Sequence, residues 1–328
     1  MSTSVGTAPQ PTQKWKRGPL ESVLPVAVMF TAMACFMLPL WYLFVASSKS
    51  RGDLTTTPGL WFSHFQLGTN VSDTVNRDGG IFWRWLLNSV LYAGVGAAIG
   101  TVIAAMAGYA LAKYEFRGRE AIFNTILAGV LVPATALALP LFLIFAAVGL
   151  TNTYWAVLLP SLVSPFGVYL SRIYASASVP DALIEAARLD GVGEFRIFLM
   201  MATALMKKIR NSPTPSRRAA SRLDGSGEFR IFFTMATALM RPALVTIFLF
   251  QFVVIWNNFF LPLIMLVDRK LFPMTLGLYS WNSQTQQDPT LATAVLTGAL
   301  LSVVPIIAAF LMLQRYWRGG LGAGGVKG

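Results

Sequence analysis

Metal ligation, proton relay and nucleotide hydrolysis each need a recognisable set of residues, and this chain supplies none of the three. Its one histidine, His64, has no cysteine or second histidine near it in the sequence, whereas a zinc site draws on several such ligands. Its one cysteine, Cys35, excludes an intramolecular disulfide. No pair of carboxylates falls within an apolar stretch, as a proton relay across a membrane requires. No GxxxxGK[ST] loop is present, so any nucleotide must be hydrolysed by another chain. The sequence therefore predicts no catalytic residue, no metal and no cofactor. What remains is a segment whose chemistry is mechanical. After Pro180, the run from Asp181 through Glu185, Ala186, Ala187 and Leu189 to Asp190 reads as a helix ended by Gly191. Glycine there permits the positive φ of a helix C-terminus. Ala186 and Ala187 leave a small-residue face on which a partner can pack closely. A second short amphipathic helix, carrying Phe195, follows from Glu194. Two short helices at an angle form a rigid knob suited to docking. Any long internal loop also contains such helices, so the residues alone leave both readings open.

The elements that would hold this knob are apolar and long. Of 328 residues 55% are hydrophobic and 12% charged, with a mean hydropathy of +0.59; soluble domains carry about 25% charged residues. Six stretches approach the roughly 20 apolar residues that cross about 30 Å of hydrocarbon: Val23–Phe44, Phe82–Leu111, Ala121–Val148, Tyr154–Leu170, Ala243–Val267 and Leu291–Leu313. Apart from Arg84 at the edge of the second, none holds a charged residue. In lipid the backbone must satisfy its own hydrogen bonds, which predicts helices throughout. The expected fold class is an all-α integral membrane protein with about six transmembrane helices.

The net charge of +12 would suit nucleic acid, but its distribution points elsewhere. With six spans and an inside N-terminus, segments 1–22, 112–120, 171–242 and 314–328 face the cytoplasm. They hold 20 of the 26 lysines and arginines, the asymmetry of a membrane topology. Both termini are then cytoplasmic in a multi-pass protein of the cell membrane, surrounded by the lipid bilayer, and no nucleic-acid partner is implied. The expected organisation is a disordered polar N-terminus over 1–20, a first helix over 21–46 and an external loop over 47–81. A five-helix core follows over 82–314, including a cytoplasmic loop over 172–242, and then a tail over 315–328. The first span is too long for the apolar core of a signal peptide and no small-residue cleavage site follows it, so it is expected to be retained.

Within the spans, Trp83 and Trp85 suggest an interfacial aromatic belt. Gly96, Gly100, Ala104 and Gly108 recur every fourth residue, a ladder that lets another helix approach closely. Pro133 and Pro140 remove backbone donors and can kink the third span, and such breaks in transporters often lie near the pathway. Ordinary packing and ordinary kinks account for the same residues equally simply.

The loop also contains a repeat. Residues 188–207 (RLDGVGEFRIFLMMATALMK) and 222–241 (RLDGSGEFRIFFTMATALMR) agree at 16 of 20 positions, 34 residues apart. Two copies are too few for a solenoid. A recent tandem duplication, or an error in the recorded sequence, explains the pattern better.

The run EAARLDG at 185–191 followed by GEFRIF resembles the EAA loop of type I ABC importer permeases. In the same order, AGYALAKYEFRGR (107–119), the proline-containing stretch to GLTNTYWAVLLP (132–160), RPALVTIFLFQFVVIWNNFFLPLIML (241–266) with its Trp256–Asn257 pair, and GGLGAGGVKG (319–328) are similar to that family's carbohydrate branch. The tail is similar to the second permease subunit of maltose-type transporters. This resemblance implies a permease subunit forming half of a carbohydrate pathway. Its implied partners are an ABC ATPase dimer, a second homologous permease subunit and an extracytoplasmic solute-binding protein, with ATP hydrolysed elsewhere. It also implies that Glu185, Ala186, Ala187, Leu189, Asp190, Gly191 and Phe195, or Asp224, Gly225 and Phe229 in the second copy, couple to the ATPase. The second copy lacks the acidic start, having Ala219-Ala220-Ser221, and both copies have Ala (Ala204, Ala238) where the family usually has proline. Two alternatives remain: a permease for glycerol phosphate or another polar solute, or a non-transporting scaffold if the duplicated loop prevents docking.

Overall fold

A computed structural model describes residues 19–179 and 228–324. The described chain is helical. In order it forms α1 (Pro19–Ser47), α2 (Asp53–Thr56), α3 (Leu67–Lys113), α4 (Arg119–Ala128), a 3-10 turn (Gly129–Leu131), α5 (Ala134–Ala147), α6 (Tyr154–Ser161) and α7 (Pro165–Ser178). Beyond the loop follow α8 (Glu228–Trp256), α9 (Phe260–Met265), a 3-10 turn (Arg269–Leu271), α10 (Met274–Asn282) and α11 (Leu291–Gly324).

Four described helical stretches are long and apolar enough to cross a membrane, and a fifth counts if α4 and α5 form one span. They are Val23–Ser47, Leu67–Lys113, Tyr154–Ser178 and Leu291–Gln314. The expected fifth stretch, Ala243–Val267, is not one helix: α8 stops at Trp256 and its apolar part, Pro242–Trp256, is short. The stop falls at Asn257, whose backbone and side-chain amides both donate to the Val253 carbonyl, at 3.1 and 2.8 Å, a local pairing that competes with continuation.

Two other expected spans are interrupted, and α3 itself breaks just ahead of the expected second span, each for a readable reason. Within α3 the backbone leaves helical geometry at Arg77, and Asp78, Gly79 and Gly80 follow at φ 50°, 69° and 81°. Only glycine, and Asp or Asn more than other residues, takes that left-handed region readily. The expected third span bends by 102° between α4 and α5. Pro133 stands at the bend as the N-cap of α5, whereas Pro140 sits inside an unbroken helix. The fourth stretch pauses between Ser161 and Pro165. There Ser164 accepts a hydrogen bond from the Gly167 amide at 3.2 Å, and Pro165 begins α7, a pairing that restarts a helix.

Among the described residues, buried apolar side chains form two clusters, toward opposite ends of α3. One gathers Phe82, Trp85, Phe145, Val157, Trp256 and Trp281; the other gathers Ala104, Leu111, Val168 and Ile247, with Phe123 and Ile126 against it. Most of α1 is exposed, and its end from Val45 onward is buried. Its apolar surface from Val23 to Tyr42 is exposed, which suits a lipid-facing helix, because lipid tails are as apolar as its side chains.

The segment after α1 folds back on the end of that helix before α3 begins at Leu67. Trp41 donates its indole N–H to the Leu60 carbonyl at 2.9 Å, and Phe62 packs edge-on against Trp41 and Phe44. Lys49 is buried and donates to the Thr57 hydroxyl at 2.8 Å and the Pro58 carbonyl at 2.6 Å. His64 lies 3.7 Å from Asp53. No group of three or more His, Cys, Asp or Glu that could hold a metal occurs among the described residues.

Candidate functional site: helix crossings and a gripped loop

The glycine ladder of α3 lies along two crossings. A Cβ at Gly96 would lie 2.9 Å from Ile255 of α8, and one at Gly100 would lie 2.0 Å from the Gln251 amide nitrogen. Two turns further on, α7 takes over. A Cβ at Gly108 would meet Ser171 Cβ at 2.5 Å, and the Val168 carbonyl and Arg172 amide nitrogen at 2.7 Å each. Ser171 adds a hydrogen bond from its hydroxyl to the Ala105 carbonyl at 3.2 Å. Small residues four apart form one edge of a helix, and here that edge accepts two neighbours in succession.

Gln251 is the residue that sequence reasoning missed. It is buried, and its Nε2 donates to the Ser161 carbonyl at 2.9 Å. That carbonyl belongs to the end of α6, where the helical ladder has run out, so the amide closes the gap that the break opens. The signal was available: Gln251 is a lone amide amid the apolar run before Trp256. Gln251→Leu is expected to destabilise the protein by about 1–3 kcal/mol, the cost of a buried acceptor left without its donor. A detergent melting series should read this directly, and an unchanged midpoint would remove Gln251 from the joint.

At the other cluster, α3 grips an irregular segment. Trp85 donates to the Arg269 carbonyl at 2.8 Å. Asn88 donates to the Lys270 and Phe272 carbonyls at 2.8 and 3.0 Å, and Tyr92 donates to the Leu271 carbonyl at 3.0 Å. Ser89 accepts from the Met274 amide at 2.7 Å. Positions 85, 88, 89 and 92 share one helix face, so four side chains satisfy the backbone of the 3-10 turn and of the entry into α10, where an α-helical ladder does not. Asn152 completes the grip by accepting from the Val267 and Asp268 amides at 3.0 and 2.9 Å. Trp85 is therefore fully buried, which corrects the interfacial belt expected of it; Trp83 beside it is exposed.

Two ion pairs tie the break in α3 to this region. Arg269 pairs with Asp78 at 2.9 Å and Arg77 with Asp288 at 3.1 Å. The Thr290 hydroxyl and amide, and then the Arg77 guanidinium, hold the Asp288 carboxyl below its usual value of 3.8. A carboxyl lowered in the folded state stabilises above its unfolded value and loses that contribution as the pH falls through the folded one. The melting difference between the parent and Asp288→Asn is thus expected to be constant from pH 7 to 5 and to vanish only below about pH 4. A difference that already disappears near pH 6 would contradict it.

The remaining expected site residues separate. Trp256 is buried and stacked on Phe252, with centroids 5.6 Å apart, while Asn257 is exposed at the end of the same helix. Glu185, Ala186, Ala187, Leu189, Asp190, Gly191, Phe195, Asp224 and Gly225 lie outside the described residues. Phe229 falls in the first turn of α8, so the second repeat copy runs from Glu228 as a helix through Pro242 into the apolar segment.

Long apolar helices, two of the stretches broken, and a site made of helix crossings define a multi-pass helical membrane protein. The chain belongs to the family described as binding-protein-dependent transport system inner membrane component, whose model matches residues 100–203 and 197–318. The two matches meet inside the first repeat copy. The chain is 31% identical to the arabinooligosaccharides transport system permease protein AraQ of Halalkalibacterium halodurans, over 96% of this chain and 100% of the relative. It is 23% identical to the sn-glycerol-3-phosphate transport system permease protein UgpE of Rhizobium meliloti, over 93% of this chain and 98% of the relative. Its fold is similar to a chain in a crystal structure of a bacterial ABC transporter involved in the import of the acidic polysaccharide alginate. The TM-score is 0.68 at 19% identity, covering 90% of this chain and 96% of that one.

Proposed function

We propose that this chain is a permease subunit of an ATP-binding-cassette importer, forming half of the pathway for a carbohydrate. The observation that carries the reading is full-length similarity to AraQ, a permease whose name specifies arabinooligosaccharides. A partner ATPase dimer supplies the energy, a second permease subunit completes the pathway, and an external binding protein delivers the solute. On the expected six-span topology, both termini and the 172–242 loop lie in the cytoplasm. The end of the bundle holding Arg172 then faces the ATPase, and the end holding Trp281 faces outward. ATP shifts the equilibrium between inward and outward states only insofar as it binds one of them better.

The first repeat copy docks on the ATPase through Glu185, Ala186, Ala187, Leu189, Asp190, Gly191 and Phe195, and the 34-residue excess loops out. Its intact acidic start, continuous in sequence with α7, motivates this choice over Asp224, Gly225 and Phe229. Single cysteines at positions 189 and 223 should crosslink to the ATPase through 189; crosslinking through 223 alone would reverse the assignment. Gly96, Gly100 and Gly108 pack the helices, Pro133, Trp256 and Asn257 stand at breaks beside the pathway, and Pro140 packs within the unbroken α5.

Uptake of a panel of radiolabelled oligosaccharides by cells lacking the chain tests the whole reading. Loss of uptake for one of them, restored by the chain, is the expected result. Loss confined to glycerol phosphate would favour the second reading, which similarity to UgpE supports. Normal uptake of both, with no ATPase copurifying, would leave a membrane scaffold. A variant lacking the 34-residue excess, compared for ATPase activity in the assembled complex, separates a working duplicated loop from an impaired one.

A further inference from the structure

The helix α4 has no buried residue, yet it is held firmly at one point. Arg172 of α7 pairs with Glu120, and its guanidinium carbon lies 4.0 Å from the centroid of the Phe123 ring. Phe123 also stacks on Tyr169, with centroids 6.3 Å apart and planes 19° from parallel. An arginine both paired with a carboxylate and laid on an aromatic face is fixed in direction as well as position. Arg119 also reaches Glu120, at 3.2 Å, but from the same helix, so it adds no tie between elements. α7 is in turn seated on α3 at Gly108 and Ser171.

Across their breaks, both helix pairs, α4–α5 and α6–α7, pass from one cluster to the other. Phe145 of α5 and Val157 of α6 belong to the Trp281 cluster, while Phe123 and Val168 belong to the Ala104 cluster. The two breaks are neighbours: a Cβ on Gly129 would lie 3.9 Å from Pro165 Cγ. Two paired interruptions at the border of two separately packed clusters are where a bundle can bend without opening either core, because packed cores shift between discrete arrangements rather than deform.

We propose that Arg172 is a positioning residue for transport, clamping α4 to α7 so that both swing as one lever at Val132–Pro133 and Leu162–Ser164. This rests on the reading that the segment following α7 docks on an ATPase. Movement of that segment enters α7, and Arg172 passes it to α4. Among the described residues, α4 otherwise rests on the Phe123–Tyr169 stack and on the packing of Phe123 and Ile126 against the Ala104 cluster.

Spin-label distances test this in the full chain purified in lipid nanodiscs with its ATPase subunits, Cys35 being replaced by serine. Cysteines at Asn124 and Ser176 report α4 against α7; cysteines at Asn124 and Ala147 report α4 against α5. In the parent, the 124–176 distance is expected to stay constant when ATP and vanadate trap the complex, and the 124–147 distance to shift. In Arg172→Ala, the 124–176 distribution should broaden before any nucleotide is added. The 124–147 shift should be lost while ATP hydrolysis persists, and Arg172→Lys should restore much of it. Glu120→Gln should act in the same direction with less effect, guarding against misfolding of the alanine variant. A parent 124–176 distance that changes on trapping, or an Arg172→Ala protein that keeps both signals, would overturn the proposal. If no ATPase copurifies, the coupling reading fails, and a 124–176 distribution that stays narrow in Arg172→Ala still refutes the clamp.

Discussion

Replacing Gly108 by leucine is expected to force α3 and α7 apart and to cost the protein more than any other single glycine change in α3. Even alanine there places its Cβ 2.5–2.7 Å from Ser171 Cβ, the Val168 carbonyl and the Arg172 amide nitrogen. Two of these three atoms are backbone, so no rotamer change relieves the clash. Overpacking of this kind costs about 1–3 kcal/mol and sometimes more, and the Ser171–Ala105 hydrogen bond would be strained with it. The same ladder provides controls. At Gly100 the near atoms all belong to the flexible end of Gln251, and at Gly94 nothing lies within 4 Å. Alanine at Gly94 removes a glycine from a helix interior and should leave stability unchanged or slightly raised, by about 0.5–1 kcal/mol. Melting midpoints in one detergent should therefore rank Gly94→Ala, Gly100→Ala and Gly108→Ala in falling order, with Gly108→Leu last. Equal midpoints for Gly94→Ala and Gly108→Ala would show that the α3–α7 crossing is looser than described.

The second large effect is expected from Trp85→Ala. The indole is fully buried, makes an edge contact with Trp281 at 4.7 Å and donates to the Arg269 carbonyl. Arg269 also lies over its ring, 5.7 Å from the centroid. Large-to-small changes at such positions cost about 3–5 kcal/mol. No neighbour fills the hole simply, because Gly277 packs its backbone directly on the ring face, where even a Cβ would come within 2.2 Å. The loss should also be visible locally. Amides of Val267, Asp268 and Met274, which donate to Asn152 and Ser89, should exchange with deuterium faster once the grip is released. Trp85→Phe keeps the ring but loses the donor, and should fall between parent and alanine. Trp83→Ala, at an exposed position, should change neither stability nor exchange appreciably. Undisturbed exchange over 267–274 in Trp85→Ala would mean that Asn88, Ser89 and Tyr92 hold the segment unaided.

How much of this was legible in the sequence follows from the range over which each signal acts. Hydrophobic runs are a one-dimensional property, so the membrane class and the places of α1, α3 and α11 could be read from them. The ladder at 96, 100, 104 and 108 could be read as a close-packing edge, because helical periodicity alone places those residues on one side. Family resemblance reached further, through ordered motifs whose meaning periodicity does not supply. The breaks were only half legible. Pro133 and Pro140 look alike in sequence, yet one stands at a 102° bend and the other inside a helix. A proline removes a donor wherever it lies, and the surrounding packing decides whether the helix turns there.

Partner choice lay beyond the sequence for the same reason. Trp85 has the composition of an interfacial anchor, and only the approach of residues 269–281 makes it a core residue. Gln251 reads as a stray amide in an apolar run until Ser161 is brought beside it, and Arg172 as one basic residue among many until Glu120 and Phe123 close on it. Read along the chain alone, the residues define an apolar multi-pass helical protein with an internal repeat in its long polar loop. The tertiary structure alone decided where the helices break, which backbone is gripped and which charges meet, because those depend on contacts between residues tens to hundreds of positions apart.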